Sequence, residues 1–220
     1  SDVYKRQVTL RNDKLIGVSR SRSKGVGIRV IVDGSLGFAS TDNLMLENVL
    51  NAVEKAVIRA KALSRLRSKP VEFSDEKVGK ARYMVLEKKP LLDLKVDESI
   101  KLMQDVYKAA VDILKEAKIL SMSSSLRVFT QEKLIVTSEG GIVESKIPRI
   151  YVSVGSTLLH QGRILQRFKE FGGTGGSELI DEWNINAVVV EELMKLEQVL
   201  LKGTTPPSEK IDVVLGSEVV

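Results

Sequence analysis

The strand-like runs of this sequence come in clusters joined by tight-turn signals, not singly between helices. That order excludes a doubly wound parallel sheet and points to an α+β fold. Val8 to Asn12 and Leu15 to Ser19 flank the turn Asn12-Asp13-Lys14. Gly25 to Val32 is β-branched until Asp33-Gly34 turns it back into Ser35 to Ala39. An N-terminal antiparallel meander is the simplest account of these four runs. Ser40 to Asn43 then offers N-cap side chains. Leu46, Val49, Leu50, Val53, Ala56, Val57 and Ala60 follow at three- and four-residue spacing, predicting a long amphipathic helix that ends near Ser64 to Ser68.

Lys69 to Lys95 holds Pro70 and Pro90 and no sustained period, so it reads as a connector with at most one short element. Asp97 is placed to cap a second helix, whose apolar face runs through Ile100, Met103, Val106, Ala110 and Leu114. Strand patterns follow at Ser124 to Phe129, Lys133 to Thr137, Ile142 to Ser145, Arg149 to Leu159 and Arg163 to Phe171, with His160-Gln161-Gly162 as the last hairpin turn. Gly172-Gly173-Thr174-Gly175-Gly176 breaks the sheet. A third helix spans about Asn186 to Lys202, and Ile211 to Leu215 reads as one more strand after Gly203 to Pro207. The expected architecture is α+β, with mixed or antiparallel sheets and long amphipathic helices.

Composition narrows the chemistry. The chain has 220 residues, no cysteine and one histidine, His160. Disulfides, thiol nucleophiles, iron-sulfur clusters and sulfur-ligated zinc are excluded within it, and a site built on two or three imidazoles cannot be completed here. No apolar stretch approaches the roughly 18 residues of a membrane-spanning helix. The lack of cysteine points to a reducing, cytoplasmic setting. Ser1 to Gln7 resembles translated sequencing-adapter sequence, so residues 1–7 are set apart as a non-native leader. Residues 8–205 are expected to form one α+β domain, and 206–220 the linker and first strand of a truncated further domain.

Charge is uneven: up to Pro70 there are 14 Lys and Arg against 6 Asp and Glu, and beyond it 20 against 23. Arg20, Arg22, Lys24, Lys55, Arg59, Lys61, Arg65 and Arg67 carry that surplus. No aromatic residue interleaves with them in sequence to stack a base, so a solvated face is expected and nucleic acid is disfavoured. Gly172 to Gly176 lacks the lysine and serine or threonine of a phosphate-binding loop; close approach of an extended ligand is its better functional reading. Glu139, Asp181 and Glu182 suit turns and helix starts. The run Arg149 to Val154 suits a sheet edge that accepts a peptide as an added strand.

Together these blocks resemble the N-terminal domain of the TldD/PmbA family of metallopeptidase subunits. The resemblance rests on Gly25 to Gly34 through Gly37-Phe38-Ala39-Ser40, with the alanine-rich helix Asn51 to Ala62 after it. It extends to Ser138-Glu139-Gly140 with Arg149 and Val152-Ser153-Val154, to Gly172 to Gly176, and to Asp212-Val213-Val214-Leu215-Gly216. The Gly-Phe-Ala-Ser and Ser-Glu-Gly blocks look more like the TldD type than the PmbA type, whereas Ser177-Glu178-Leu179 departs from the family's aromatic at the end of the glycine loop. The resemblance implies a zinc site with an HExxxH motif in a C-terminal domain, its ligands beyond Val220, and no catalytic or metal-binding residue here. It also implies substrate-channel walls for unfolded or extended peptides, with Gly172, Gly173, Gly175, Gly176 and Arg149 as peptide contacts. The partner implied is a second copy or a PmbA-like subunit. A non-catalytic PmbA-like role is the alternative, and a basic nucleic-acid-binding module the further one.

Overall fold

The computed structural model describes residues 1–66, 69–72, 74, 77–205 and 207–216. In chain order the elements are β1 (Asp2–Arg11), β2 (Lys14–Lys24), β3 (Val26–Val32), β4 (Ser35–Thr41), α1 (Leu46–Ser64), β5 (Lys80–Met84), α2 (Val96–Ile113), β6 (Lys118–Val136), β7 (Ile142–His160), β8 (Arg163–Thr174), α3 (Glu178–Trp183) and α4 (Ile185–Lys202). The fold is α+β. One six-stranded sheet has the order β2-β1-β6-β7-β5, with β8 also on β7, and β3-β4 forms a separate two-stranded sheet. Only β5 runs parallel to its neighbour; the other pairings are antiparallel.

The large sheet is built on β6 and β7, each 19 residues long. Alternate residues of both strands are buried: Met122, Leu126 and Val128 on β6, and Ile150, Val152, Val154 and Leu158 on β7. Val8 and Leu10 continue that face onto β1. Two helices cover it, α2 through Met103, Val106 and Ala110, and α4 through Ile185, Val189, Leu193, Leu196 and Leu200. Each fully buried Leu, Ile, Val or Met side chain contributes about 1.5–3 kcal/mol, so this face carries most of the folding energy. A much smaller core, Ala39, Ala52 and Ala56, joins α1 to β3-β4.

Several readings of the sequence change. The four N-terminal runs do not form a meander, because β1-β2 joins the large sheet beside β6 while β3-β4 stands apart under α1. Residues 2–7, set apart above, lie in β1 and pair on both sides. Asp97 lies inside the first turn of α2: the N-cap is Lys95, whose backbone N–H is accepted by Glu98 at 2.9 Å. Likewise Ser40 to Asn43 shapes the approach to α1 without capping it, since Met45 is the N-cap and its N–H donates to Asn43 Oδ1 at 3.0 Å. Finally, the five separate strand patterns merge into three long strands, whereas Ile211 to Leu215 pairs with nothing among the described residues. Arg67 and residues 217–220 lie outside the described residues.

Candidate functional site

With α2 and α4 on one face, no helix or strand among the described residues packs over the other face. Residues paired across antiparallel strands project to the same side, so the register gives that open face as a grid. One row reads Ser21, Lys5, Phe129, Arg149, Thr174, and the next Ser19, Gln7, Arg127, Tyr151, Gly172. Beyond them lie Gly17, Thr9, Ser125, Ser153, Glu170, then Ser123, Gly155, Phe168. Three shallow depressions of about 450, 370 and 300 Å³ run along this surface.

At the centre, Arg127 and Arg149 alternate with Tyr151 and Phe129 as a two-by-two checkerboard. Arg149 lies over the Phe129 ring with its guanidinium carbon 5.7 Å from the centroid, and Lys5 Nζ lies 5.5 Å away. Arg127 Nε donates to Gln7 Oε1 at 3.2 Å, and the Ser125 and Ser153 hydroxyls bond at 2.9 Å. Tyr151 and Phe168 are 46% and 65% exposed, yet neither floats free. A Cβ on Gly172 would lie 3.1 Å from the Tyr151 ring, and one on Gly155 would lie 2.8 Å from the Phe168 ring. Each ring covers a glycine on the neighbouring strand, which restores the apolar cover that glycine lacks.

The residues singled out from sequence divide between two places. Arg149 and Gly172 stand on the open face. Gly173 lies in β8, paired with Ile150, whereas Gly175 and Gly176, both buried, form the turn into α3. A Cβ on Gly173 would meet Leu179 and Trp183, and one on Gly176 would collide with the Lys89 carbonyl oxygen. The close approach they permit is to the chain's own α3 and to the segment before α2. The Arg149 to Leu159 run is not a sheet edge either, because β7 pairs there with β6 on one side and β8 on the other. Free edges belong to β2, β5 and β8.

The acids have structural partners. Glu178 at the start of α3 accepts the backbone N–H groups of Lys88, Lys89 and Gly176 at 2.9–3.3 Å. Burial pushes its carboxyl up, but those three donors outweigh it and the group titrates below its ordinary range. Asp181 pairs with Lys89 at 2.7 Å and Glu182 with Lys88 at 3.7 Å. Glu139, in the β6-β7 turn, is also held low, chiefly by the Ser138 hydroxyl. His160 ends β7 with Nδ1 3.3 Å from the Glu116 carbonyl oxygen. No three His, Cys, Asp or Glu side chains converge among the described residues, so the donor set does not fit a zinc site, and no catalytic step is assigned to a metal on this chain. No helix among the described residues is long and apolar enough to cross a membrane.

Sequence reasoning missed the checkerboard because its alternation runs across strands, where neighbours in space are 20 to 24 positions apart in the chain. Lys55, Lys61 and Arg65, in the basic first third, are exposed.

Comparison with known proteins follows the same division of the chain. Residues 1–60 match the family description PmbA/TldA metallopeptidase domain 1, and residues 89–201 match the PmbA/TldA metallopeptidase central domain. A curated metalloprotease of Methanocaldococcus jannaschii is 25% identical over 211 residues, covering 96% of this chain and 45% of the relative. One from Methanothermobacter thermautotrophicus is 27% identical over 217 residues, covering 96% and 44%. The chain thus spans under half the length of the curated relatives it matches. Among solved structures, TldE from Thermococcus kodakarensis aligns with a TM-score of 0.64 at 18% identity, covering 88% of this chain and 43% of that one. A Thermotoga maritima protein described as a candidate modulator of a DNA gyrase aligns at 0.64 and 15%, covering 93% and 44%. At these identities the structural likeness is one of fold.

Proposed function

The chain belongs to the PmbA/TldD metallopeptidase family, and from that premise we propose that it is the substrate-holding, subunit-contacting portion of a zinc peptidase acting on unfolded or extended peptides. The observation that carries this reading is the match of the family's central domain to residues 89–201 in a chain whose described residues assemble no metal-donor set. Zinc would then be held by residues outside this chain and would supply Lewis-acid chemistry for hydrolysis there. This chain's own contribution is the open sheet face and the free β8 edge. Unpaired backbone groups on that edge accept an extended strand without regard to its side chains, which suits a peptidase of broad substrate range. Within this reading Arg149 and Gly172 face the peptide, and Gly173, Gly175 and Gly176 hold β8 against α3 so that the edge is presented rigidly.

Association with a second copy or a PmbA-like subunit is supported by the exposed apolar side chains of α1, among them Leu46 and Ile58 at 73% and 66% exposure. The Gly37-Phe38-Ala39-Ser40 block supports a TldD-like assignment. In the second reading the chain is the PmbA-like partner that completes an enzyme made by another subunit.

The deciding experiment compares the 220-residue chain with a longer protein carrying the domain that follows it, both supplied with zinc and an unfolded protein substrate. The expected outcome is chelator-sensitive cleavage by the longer protein and none by the chain. Activity that appears only on mixing with a second subunit would favour the partner reading. Chelator-sensitive turnover by the repurified chain alone would overturn both.

A further inference from the structure

We propose that the open face of the sheet selects extended peptide segments carrying acidic side chains at alternate positions, with Arg127 and Arg149 as the recognising groups. The proposal rests on the peptide-handling reading above and names its substrate class.

The first argument is charge. The depression of about 450 Å³ that holds Arg127 and Arg149 has no carboxylate in its walls. Arg127 donates to a neutral amide, and Arg149 lies against an aromatic ring. Neither has a carboxylate partner among the described residues. Several exposed cations elsewhere do: Arg167 pairs with Glu192 at 2.7 Å, Lys89 with Asp181 at 2.7 Å and Arg82 with Glu144 at 3.5 Å. Two guanidinium groups held near one another without counter-charge repel, and carboxylates from a ligand would remove that cost. Guanidinium also presents a planar fork that matches a carboxylate in a bidentate geometry.

The second argument is spacing. Phe129 pairs with Arg149 and Arg127 with Tyr151, so the two arginines are diagonal neighbours on adjacent strands, about 7–8 Å apart. In an extended peptide, side chains on one face recur every second residue, at about 6.6–6.8 Å. Acids at alternate positions would therefore meet both arginines. Ser19, Ser21, Ser125 and Ser153 supply neutral hydroxyls beside the pair, which suit a peptide backbone, and Glu170 is the one carboxylate lining the neighbouring depression that Arg127 shares.

The third argument separates a peptide from single-stranded nucleic acid, for which stacking is the main attraction. Phe129 already carries a guanidinium at 5.7 Å, and the Tyr151 ring lies along Gly172. The aromatic groups serve the arginines and the sheet, which leaves the guanidinium forks as the recognition elements.

The test is equilibrium binding by fluorescence anisotropy. The probes are labelled decapeptides of alternating Glu-Ser, Gln-Ser and Lys-Ser, with a ten-residue oligothymidylate for comparison. At low salt the Glu-Ser peptide should bind at least ~10-fold more tightly than the Gln-Ser peptide, and the gap should narrow at about 1 M salt, where the screening length falls to roughly 3 Å. Arg127→Gln with Arg149→Gln should abolish the preference while leaving the far-ultraviolet dichroism unchanged, and Arg149→Glu should shift it toward the Lys-Ser peptide. Equal binding of the Glu and Gln peptides, or a preference that survives the double substitution, would overturn the proposal. So would oligothymidylate that binds more tightly than the Glu-Ser peptide and displaces it. Failure here is distinguishable from failure of the peptidase reading. A longer protein that cleaves neutral and acidic peptides alike leaves the peptidase standing, whereas acidic binding without cleavage by that protein removes the peptidase and keeps the site.

Discussion

Arg6 is 5% exposed, on the same face of β1 as Val8 and Leu10, and its Nε and Nη2 are buried without hydrogen-bond partners among the described residues. Its pairing neighbour on β2 is Arg20, a like charge. A buried cation without a counter-ion costs stability, and an apolar β-branched residue fits that position of the strand better. Arg6→Val should therefore raise the stability of the chain by about 1–3 kcal/mol, seen as a higher denaturant midpoint with an unchanged slope. A lowered midpoint would mean that the guanidinium is paired in solution. Glu197 is the opposite case, a buried carboxylate that is fully used: its Oε1 accepts the N–H groups of Lys115, Glu116 and Ala117 at 2.8–3.0 Å. Burial pushes the carboxyl up, yet the three donors prevail and the group titrates below its ordinary value. A depressed carboxyl adds stability that is complete above the unfolded value near about 4.3 and lost as pH falls through the folded one. Glu197→Gln should flatten that acid limb of the stability profile. Glu197→Ala, which strands three N–H groups, should cost about 3 kcal/mol or more by chemical denaturation. The helix that carries it was legible, but its burial and its partners were not, since those partners lie some 80 positions away.

Elements were legible wherever one period ran unbroken. α1, α2 and α4 follow their apolar spacing, and the β7-β8 hairpin follows Gln161-Gly162, both at positive φ (47° and 79°). β7 was harder to read, because Pro148 interrupts a run that is in fact continuous. The structure explains the tolerance: β5 pairs with β7 as far as Lys146 and pairing with β8 starts only at Arg149, so Pro148 sits at a gap in the ladder on that side. β6 was split because its serine-rich start and charged middle hide an alternation whose buried members include Ser124 and Thr130. Gly37 links β4 to α1 in a way spacing alone does not reveal. A Cβ there would collide with the Ala56 carbonyl oxygen and lie 2.9 Å from the Ala60 Cβ. Gly37→Ala must push the helix off the strand, and overpacking of this kind costs about 1–3 kcal/mol. The expected result is a loss of helical dichroism from the N-terminal unit while the large sheet keeps its amide protection. Full retention of both would show that α1 shifts without cost.

At the scale of the whole molecule the two cores are unequal, and that inequality has a measurable consequence. The large sheet with α2 and α4 buries a continuous set of Leu, Ile, Val and Met side chains, whereas α1 and β3-β4 are joined by three alanines, with Ile28 and Val30 beside them. α1 leaves Leu46, Leu50, Ile58 and Leu63 more than half exposed, and Phe38 on β4 is 46% exposed. Alanine burial contributes far less than leucine burial, so the smaller unit should open locally well below the free energy of global unfolding. Its apolar exterior is also the surface most readily stabilised by another protein surface. Native-state hydrogen exchange tests both points. Amides of α1 should exchange at least ~100-fold faster than those of β6 and β7 in the chain alone, and should gain protection when a second protein surface covers α1. Equal protection in the two units would show that they unfold together, and the exposed leucines of α1 would then need no partner to account for them.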